Sequence, residues 1–110
     1  MAEIKKVTTL SAVIEVLAGK RVVIFKHSTR CPISAAARRC FEAFARSCDD
    51  GVNLYEVDVI AERAISDEIT KRTGVTHHTP EVLFIRDGVV TGYHTHYDIR
   101  EETLEKGIEP

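Results

Sequence analysis

Apolar positions along the chain switch repeatedly between a two-residue and a 3.6-residue rhythm, and the switches mark the elements. Residues 4–7 read as a short first strand. Thr8 or Thr9 then caps a helix carrying Leu10, Val13, Ile14 and Leu17, with Gly19 as its stop. Residues 21–25, Arg-Val-Val-Ile-Phe, form a buried-type strand rich in β-branched side chains. A helical stripe follows at Ile33, Ala36, Ala37, Cys40, Phe41, Phe44 and Cys48, ended by Asp49-Asp50-Gly51. Residues 52–59 read as a strand, and residues 62–73 as a helix with Ile65 and Ile69 on one face, closed by Gly74. A loop reaches Pro80. Residues 82–85 and 89–94 form two strands joined at Asp87-Gly88, a hairpin signal. Asp98 with Glu101 resembles a capping box and opens a last helix bearing Ile99, Leu104 and Ile108.

The predicted order is β-α-β-α-β-α-β-β-α. Alternating strands and helices imply an α/β sheet with a parallel core, to which the last hairpin adds an antiparallel edge. A sulfur after the second strand and a proline before the hairpin give this order the thioredoxin-like arrangement: a central mixed sheet flanked by helices. The 110 residues fit one domain, 1–110, with no linker, repeat or low-complexity segment.

Composition narrows the function classes. Hydrophobic content is 44% and charged content 29%, as in a folded soluble domain. A net charge of −2 argues against a general nucleic-acid binder. No apolar run has the length of a membrane span, and residues 1–6 lack the apolar core of a signal peptide. The expected location is therefore cytoplasmic, where thiols stay reduced, and the expected state is a monomer. Three cysteines do not make a disulfide framework.

Candidate chemistry centres on Cys31, within Lys26-His27-Ser28-Thr29-Arg30-Cys31-Pro32-Ile33-Ser34. A strand leads in and a helix leads out, so the thiol stands at a helix N-terminus. There the macrodipole and free N–H groups favour a thiolate. Pro32 suits the first turn because its missing N–H costs nothing there. The N–H groups of Ile33 and Ser34 are expected to face the sulfur, and the Ser34 hydroxyl can donate to it. The polar lead-in through Lys26, His27 and Arg30 is expected to surround the thiol and to lower its pKa.

The spacing is Cys-x-x-Ser, so no second sulfur lies on the same turn. Cys40 stands nine residues along the same helix, about 13.5 Å away at about 1.5 Å per residue. A disulfide needs Cα atoms within about 7 Å. Cys48 is farther, and both fall on the apolar stripe as small core hydrophobes. A mixed disulfide on Cys31 must then be resolved by an external thiol. His77 and His78 precede Thr79-Pro80 and are expected near the sulfur. The five histidines and three cysteines show no zinc-type spacing, so no metal is expected. Asp58 reads either as an interior carboxylate near the thiol or as the cap of the next turn.

The segment 26–34 resembles the signature of the monothiol bacilliredoxins, the YtxJ-like redox proteins of the bacillithiol system. Val57-Asp58-Val59-Ile60, Thr73-Gly74-Val75 through Thr79-Pro80, and His94-Thr95-His96-Tyr97-Asp98-Ile99 extend the likeness over nearly the whole chain. The resemblance implies a thiol-disulfide oxidoreductase that removes bacillithiol from S-bacillithiolated proteins. In that scheme Cys31 takes the bacillithiol as a mixed disulfide. Free bacillithiol, a co-substrate rather than a bound cofactor, resolves it. A separate flavin-dependent reductase then reduces the bacillithiol disulfide. The resemblance also implies a cis Pro80 facing Cys31, with Thr79 offering its backbone to an extended ligand as in strand addition. Lys26, His27, Arg30 and His78 would complete the ligand side, Arg30 meeting malate carboxylates with its fork. Two other readings fit the residues: a glutathione-dependent monothiol glutaredoxin, and a redox-inert thioredoxin-like adaptor.

Overall fold

The computed structural model describes residues 2–109; Met1 and Pro110, the outermost residues of the expected domain, lie outside them. The elements are β1 (Ile4–Lys6), α1 (Leu10–Leu17), β2 (Arg21–His27), α2 (Pro32–Ser47), β3 (Asn53–Asp58), α3 (Arg63–Thr73), β4 (Glu81–Arg86), β5 (Val89–Thr95) and α4 (Glu101–Gly107). A three-residue 3₁₀ turn, His96–Asp98, joins β5 to α4. No helix among these is long and apolar enough to cross a membrane.

The sheet order is β1-β3-β2-β4-β5. The strands β1, β3 and β2 run parallel. The fourth does not join them: β4 is antiparallel to β2, with Glu81 opposite Lys26 and Arg86 opposite Arg21. The parallel core expected from the sequence is thus three strands, and the antiparallel part begins at the sheet centre. The cause is the connection after α3, which returns the chain to the end where β2 finishes. Asp87 (φ 50°) and Gly88 (φ 78°) make the β4–β5 turn with two left-handed residues, as the twist of a two-residue hairpin requires. Gly74 ends α3 at φ 72°, where a Cβ would be strained.

Strand alternation sends side chains to two cores. Val23 and Phe25 of β2 join Phe41, Phe44, Leu54, Phe84 and Leu104 on the α2/α4 face. Val22 and Ile24 join Val13, Ile65, Ile69, Leu83 and Ile85 on the α1/α3 face. Each such large apolar side chain contributes roughly 1.5–3 kcal/mol when fully buried.

The helix faces depart from the expected stripes in detail. On α2 the buried seam is Ser34, Ala37, Phe41, Phe44 and Cys48, a 3-4-3-4 spacing, while Ala36 is exposed and Cys40 half-buried. On α1 the buried residues are Val13 and Val16; Leu10 and Ile14 are more than half exposed. Thr9 does cap α1, accepting from Ala12 N at 3.3 Å. The last helix is capped by Arg100, not Asp98: Thr103 Oγ1 accepts from Arg100 N at 3.1 Å. Asp98 is taken up by the 3₁₀ turn, and its carbonyl lies 2.6 Å from Thr103 Oγ1.

Candidate functional site

Cys31 is the N-cap of α2 (φ −109°, ψ 123°), and Pro32 is the first helical residue. The cap conformation turns the chain from the strand end into the helix. Ala35 N donates to Cys31 O at 3.1 Å, the first intrahelical bond. Helix N–H groups beyond the cap have no carbonyl partner four residues back, so they are free for another acceptor. Here that acceptor is the Cys31 sulfur, and its pKa is lowered. The Ser34 N–H is the largest cause; partial desolvation opposes it; the Ile33 N–H and the Ser34 hydroxyl reinforce the lowering. Ser34 is almost fully buried, and its Oγ accepts from Ser28 N at 3.2 Å. That N–H occupies an oxygen lone pair and leaves the hydroxyl proton for the sulfur. Cys31 itself is half-exposed. Arg30 is exposed beside it, its backbone N–H turned to Ser28 Oγ at 3.2 Å.

Two residues of the expected lead-in are elsewhere. The strand β2 continues past Phe25, because Lys26 pairs with both Val57 and Glu81, and His27 pairs with Asp58. Alternation then buries the two on opposite faces. Lys26 is fully buried towards α3; its Nζ donates to Thr70 Oγ1 at 2.8 Å and to Ser66 O at 3.1 Å. Glu81 Oε1 lies 4.0 Å from that ammonium. Lys26 is therefore not in the solvated lead-in expected around Cys31; it has no exposed surface and is engaged with α3. His27 turns towards α2, stacked on Phe25 at 5.3 Å. Its Nε2 is 3.8 Å from Glu56 Oε2 and 3.5 Å from Arg38 Nη1. Arg38 bridges to Glu56 at 3.2 Å. His27 thus pairs with the buried Glu56 and the half-exposed Arg38 rather than standing in a solvated rim.

Burial governs the ionisation of both groups. It lowers the pKa of Lys26, partly offset by Glu81 and Asp67. It lowers that of His27, with Glu56 opposing. Burial pushes Glu81 up to about 7 despite Lys26. Beside this His27–Glu56–Arg38 group, a cavity of about 340 Å³ is lined by His27, Thr29, Arg38, Glu56 and Asp58 among others.

Across the sheet end, the Thr79–Pro80 peptide bond is cis. Because Glu81 pairs with Lys26, these two residues lie at the sheet end from which the Cys31 loop departs. Pro80 is buried, Thr79 half-exposed and His78 exposed. Pro80 O accepts from His96 N at 3.0 Å, and the rings of His78 and His96 meet edge-on at 5.8 Å. His77 turns inward: Nδ1 lies 3.4 Å from Ser66 Oγ and Nε2 3.2 Å from Thr79 Oγ1.

Asp58 resolves to the turn-capping role, accepting from Ile60 N at 2.9 Å and Ala61 N at 3.2 Å. Cys40 is half-buried and Cys48 buried, both along α2 away from Cys31. Among the described residues, no three His, Cys, Asp or Glu side chains are grouped to hold a metal ion. Glu56, Glu81, Arg38 and Ser66 escaped the sequence reading. For Glu56 and Glu81 the available signal was charge at inward strand positions; Arg38 and Ser66, on α2 and α3, carried none.

A family model for the monothiol bacilliredoxin BrxC matches residues 2–104. The chain belongs to the monothiol bacilliredoxin family. A solved structure described as a candidate oxidoreductase with a thioredoxin fold is 32% identical, with a TM-score of 0.88 over 96% of this chain and 94% of that one. Mitochondrial thioredoxin 3 of Saccharomyces cerevisiae is 24% identical, with a TM-score of 0.74 over 96% and 92%. A thioredoxin of Trypanosoma brucei brucei is 16% identical, with a TM-score of 0.76 over 96% and 87%. The last two share the fold. The bacilliredoxin is thus a thioredoxin-fold oxidoreductase, and its single N-cap sulfur accords with the monothiol character of its family.

Proposed function

We propose that this bacilliredoxin removes bacillithiol from S-bacillithiolated proteins through a mixed disulfide on Cys31. The observation that carries the reading is a lowered-pKa thiol at the start of α2, with the other two cysteines, Cys40 and Cys48, farther along the same helix. In the first step the Cys31 thiolate attacks the bacillithiol sulfur of the protein mixed disulfide. A new S–S bond forms, the old one breaks, and the client leaves as a thiolate that takes a proton from water. In the second step a bacillithiol thiolate attacks the bacillithiol sulfur now on Cys31. Bacillithiol disulfide departs, and Cys31 returns to the thiolate stabilised by Ser34 and Ile33. No net electrons stay on the protein. A flavin-dependent bacillithiol disulfide reductase then closes the cycle in a reducing cytoplasm.

The ligand lies between Cys31 and Thr79-Pro80, where the Thr79 backbone pairs with the cysteinyl part. In this reading the exposed His78 lines one side of the ligand, and the exposed Arg30 meets its carboxylates from the other. Bacillithiol is preferred to glutathione because the family match is to a bacilliredoxin. The deciding experiment measures adduct removal from one modified protein with bacillithiol and with glutathione, side by side. Faster turnover with bacillithiol is expected. Equal or faster turnover with glutathione overturns the assignment.

A further inference from the structure

We propose that His77 is a positioning residue for thiol exchange: wedged between Ser66 of α3 and Thr79, it fixes the residue that precedes Pro80. The buried Lys26–Glu81 pair anchors the α3 side of this wedge. The inference rests on the reading that Thr79 presents its backbone to the mixed disulfide.

Three observations point the same way. First, both ring nitrogens of His77 are engaged, with Ser66 Oγ at 3.4 Å and Thr79 Oγ1 at 3.2 Å. A neutral imidazole has one donor and one acceptor nitrogen, and each hydroxyl can play either part. The ring therefore spans the gap from helix to loop in either tautomer. Burial lowers its pKa; Lys26 and Arg63 nearby act in the same direction, Asp67 against it, and His78 adds to the lowering.

Second, the helix side of the wedge is fixed from within the sheet. Ser66 is fully buried. Its carbonyl accepts from Lys26 Nζ at 3.1 Å and from Thr70 Oγ1 at 3.2 Å. Lys26 is held in turn by Thr70 Oγ1 and faces Glu81. Thus an ammonium from β2 pins the turn of α3 that carries Ser66.

Third, that ammonium is costly. Desolvating an ion pair often outweighs its attraction, and apolar replacements of similar size are frequently as stable. Both Glu81 oxygens are buried, and the Lys26 ammonium at 4.0 Å and the His78 backbone N–H only partly offset the burial of its carboxyl. A pair of this kind, directly behind the residues that face the thiol, serves geometry better than stability. It replaces the ligand-contacting role expected for Lys26.

The test uses the full chain, a bacillithiol-modified protein as substrate, and the variants His77→Ala, Thr79→Val and the double variant. Net hydrogen-bond contributions of this class correspond to roughly a two- to tenfold change. Each single variant is expected to raise KM by about that factor, with kcat within about twofold. The double variant is expected to be no worse than His77→Ala alone, because Thr79→Val removes a contact that His77→Ala has already broken. His77→Gln, which keeps a donor and an acceptor, is expected to recover part of the loss. Alkylation of Cys31 by iodoacetamide needs no Thr79 platform and is expected to keep its rate in all variants.

Unchanged KM in both single variants, additive effects, or alkylation slowed in proportion to turnover each overturn the proposal. Thr79→Val is close to isosteric, so it decides the matter if His77→Ala fails to fold. A wild-type protein that leaves the mixed disulfide untouched would instead sink the proposed function, and the positioning role with it.

Discussion

The two ends of α2 carry the same side chain in opposite states. Cys31 is its N-cap and Cys48 its C-cap. At the N-terminus the sulfur is half-exposed and receives helix N–H groups, so its pKa falls. At the C-terminus Cys48 is 3% exposed and packed into the α2-face core. Burial pushes the Cys48 pKa up, the Asp49 carboxylate adds to the rise, and Arg21 offsets only part of it. Helix polarity and access to solvent, rather than residue type, decide which thiol is a nucleophile.

The most direct way to break this contrast is to exchange the sulfurs for oxygen. Cys31→Ser is expected to lower turnover at least about a thousandfold, as loss of a nucleophile does, with the fold retained by circular dichroism. Cys48→Ser is expected to leave turnover intact but to cost about 1–3 kcal/mol, because a buried hydroxyl lacks a ready partner. Urea unfolding measures that loss. If Cys48→Ser instead slowed the reaction as Cys31→Ser does, the two ends would not be distinct.

A second contrast lies in consecutive residues of β2 and is read in pH. Glu81, facing Lys26, has its folded pKa raised to about 7 from an ordinary 4.5. Its stabilising contribution is present at acid pH and is lost as pH rises from about 4.5 through about 7. His27 has a lowered pKa, so its contribution is present above 6.5 and is lost as pH falls through the folded value. Glu81→Gln is therefore expected to flatten the decline in stability towards neutral pH while leaving the acid-side loss. Chemical unfolding across that range reports it.

The smallest expected effect separates backbone from side chain at the active thiol. Ser34→Ala keeps the N–H that is the main cause of the low Cys31 pKa and removes only the hydroxyl. Alkylation of Cys31 at neutral pH is expected to slow by about two- to fivefold, the scale of one hydrogen bond. A change as large as that of Cys31→Ser would mean that the helix N–H groups contribute little.

The order of elements and the place of Cys31 were legible in the chain because each rests on local pattern. Strand rhythm, Pro32 in a first turn and Gly74 after a last turn are written in neighbouring residues. The fate of Lys26 and His27 was not. Their charge suggested a solvated lead-in, and only pairing with β3 and β4 carries the strand on to His27 and buries both. Glu56, 29 positions from His27, and Glu81, 55 positions from Lys26, are the partners buried with them. The last hairpin was legible as the antiparallel edge, and β4 does run antiparallel to β2. Ser34 was read as a thiol-side group and is also part of the buried seam, since small polar side chains at a helix start serve both ends.

The central claim is that Cys31 works without an internal partner. It is tested most directly by loading bacillithiol onto the protein, removing free thiol, and following the intact mass. The account predicts one adduct on Cys31 that persists until bacillithiol is added back, then leaves as bacillithiol disulfide. Spontaneous loss of the adduct with formation of an internal disulfide to Cys40 or Cys48 would contradict it.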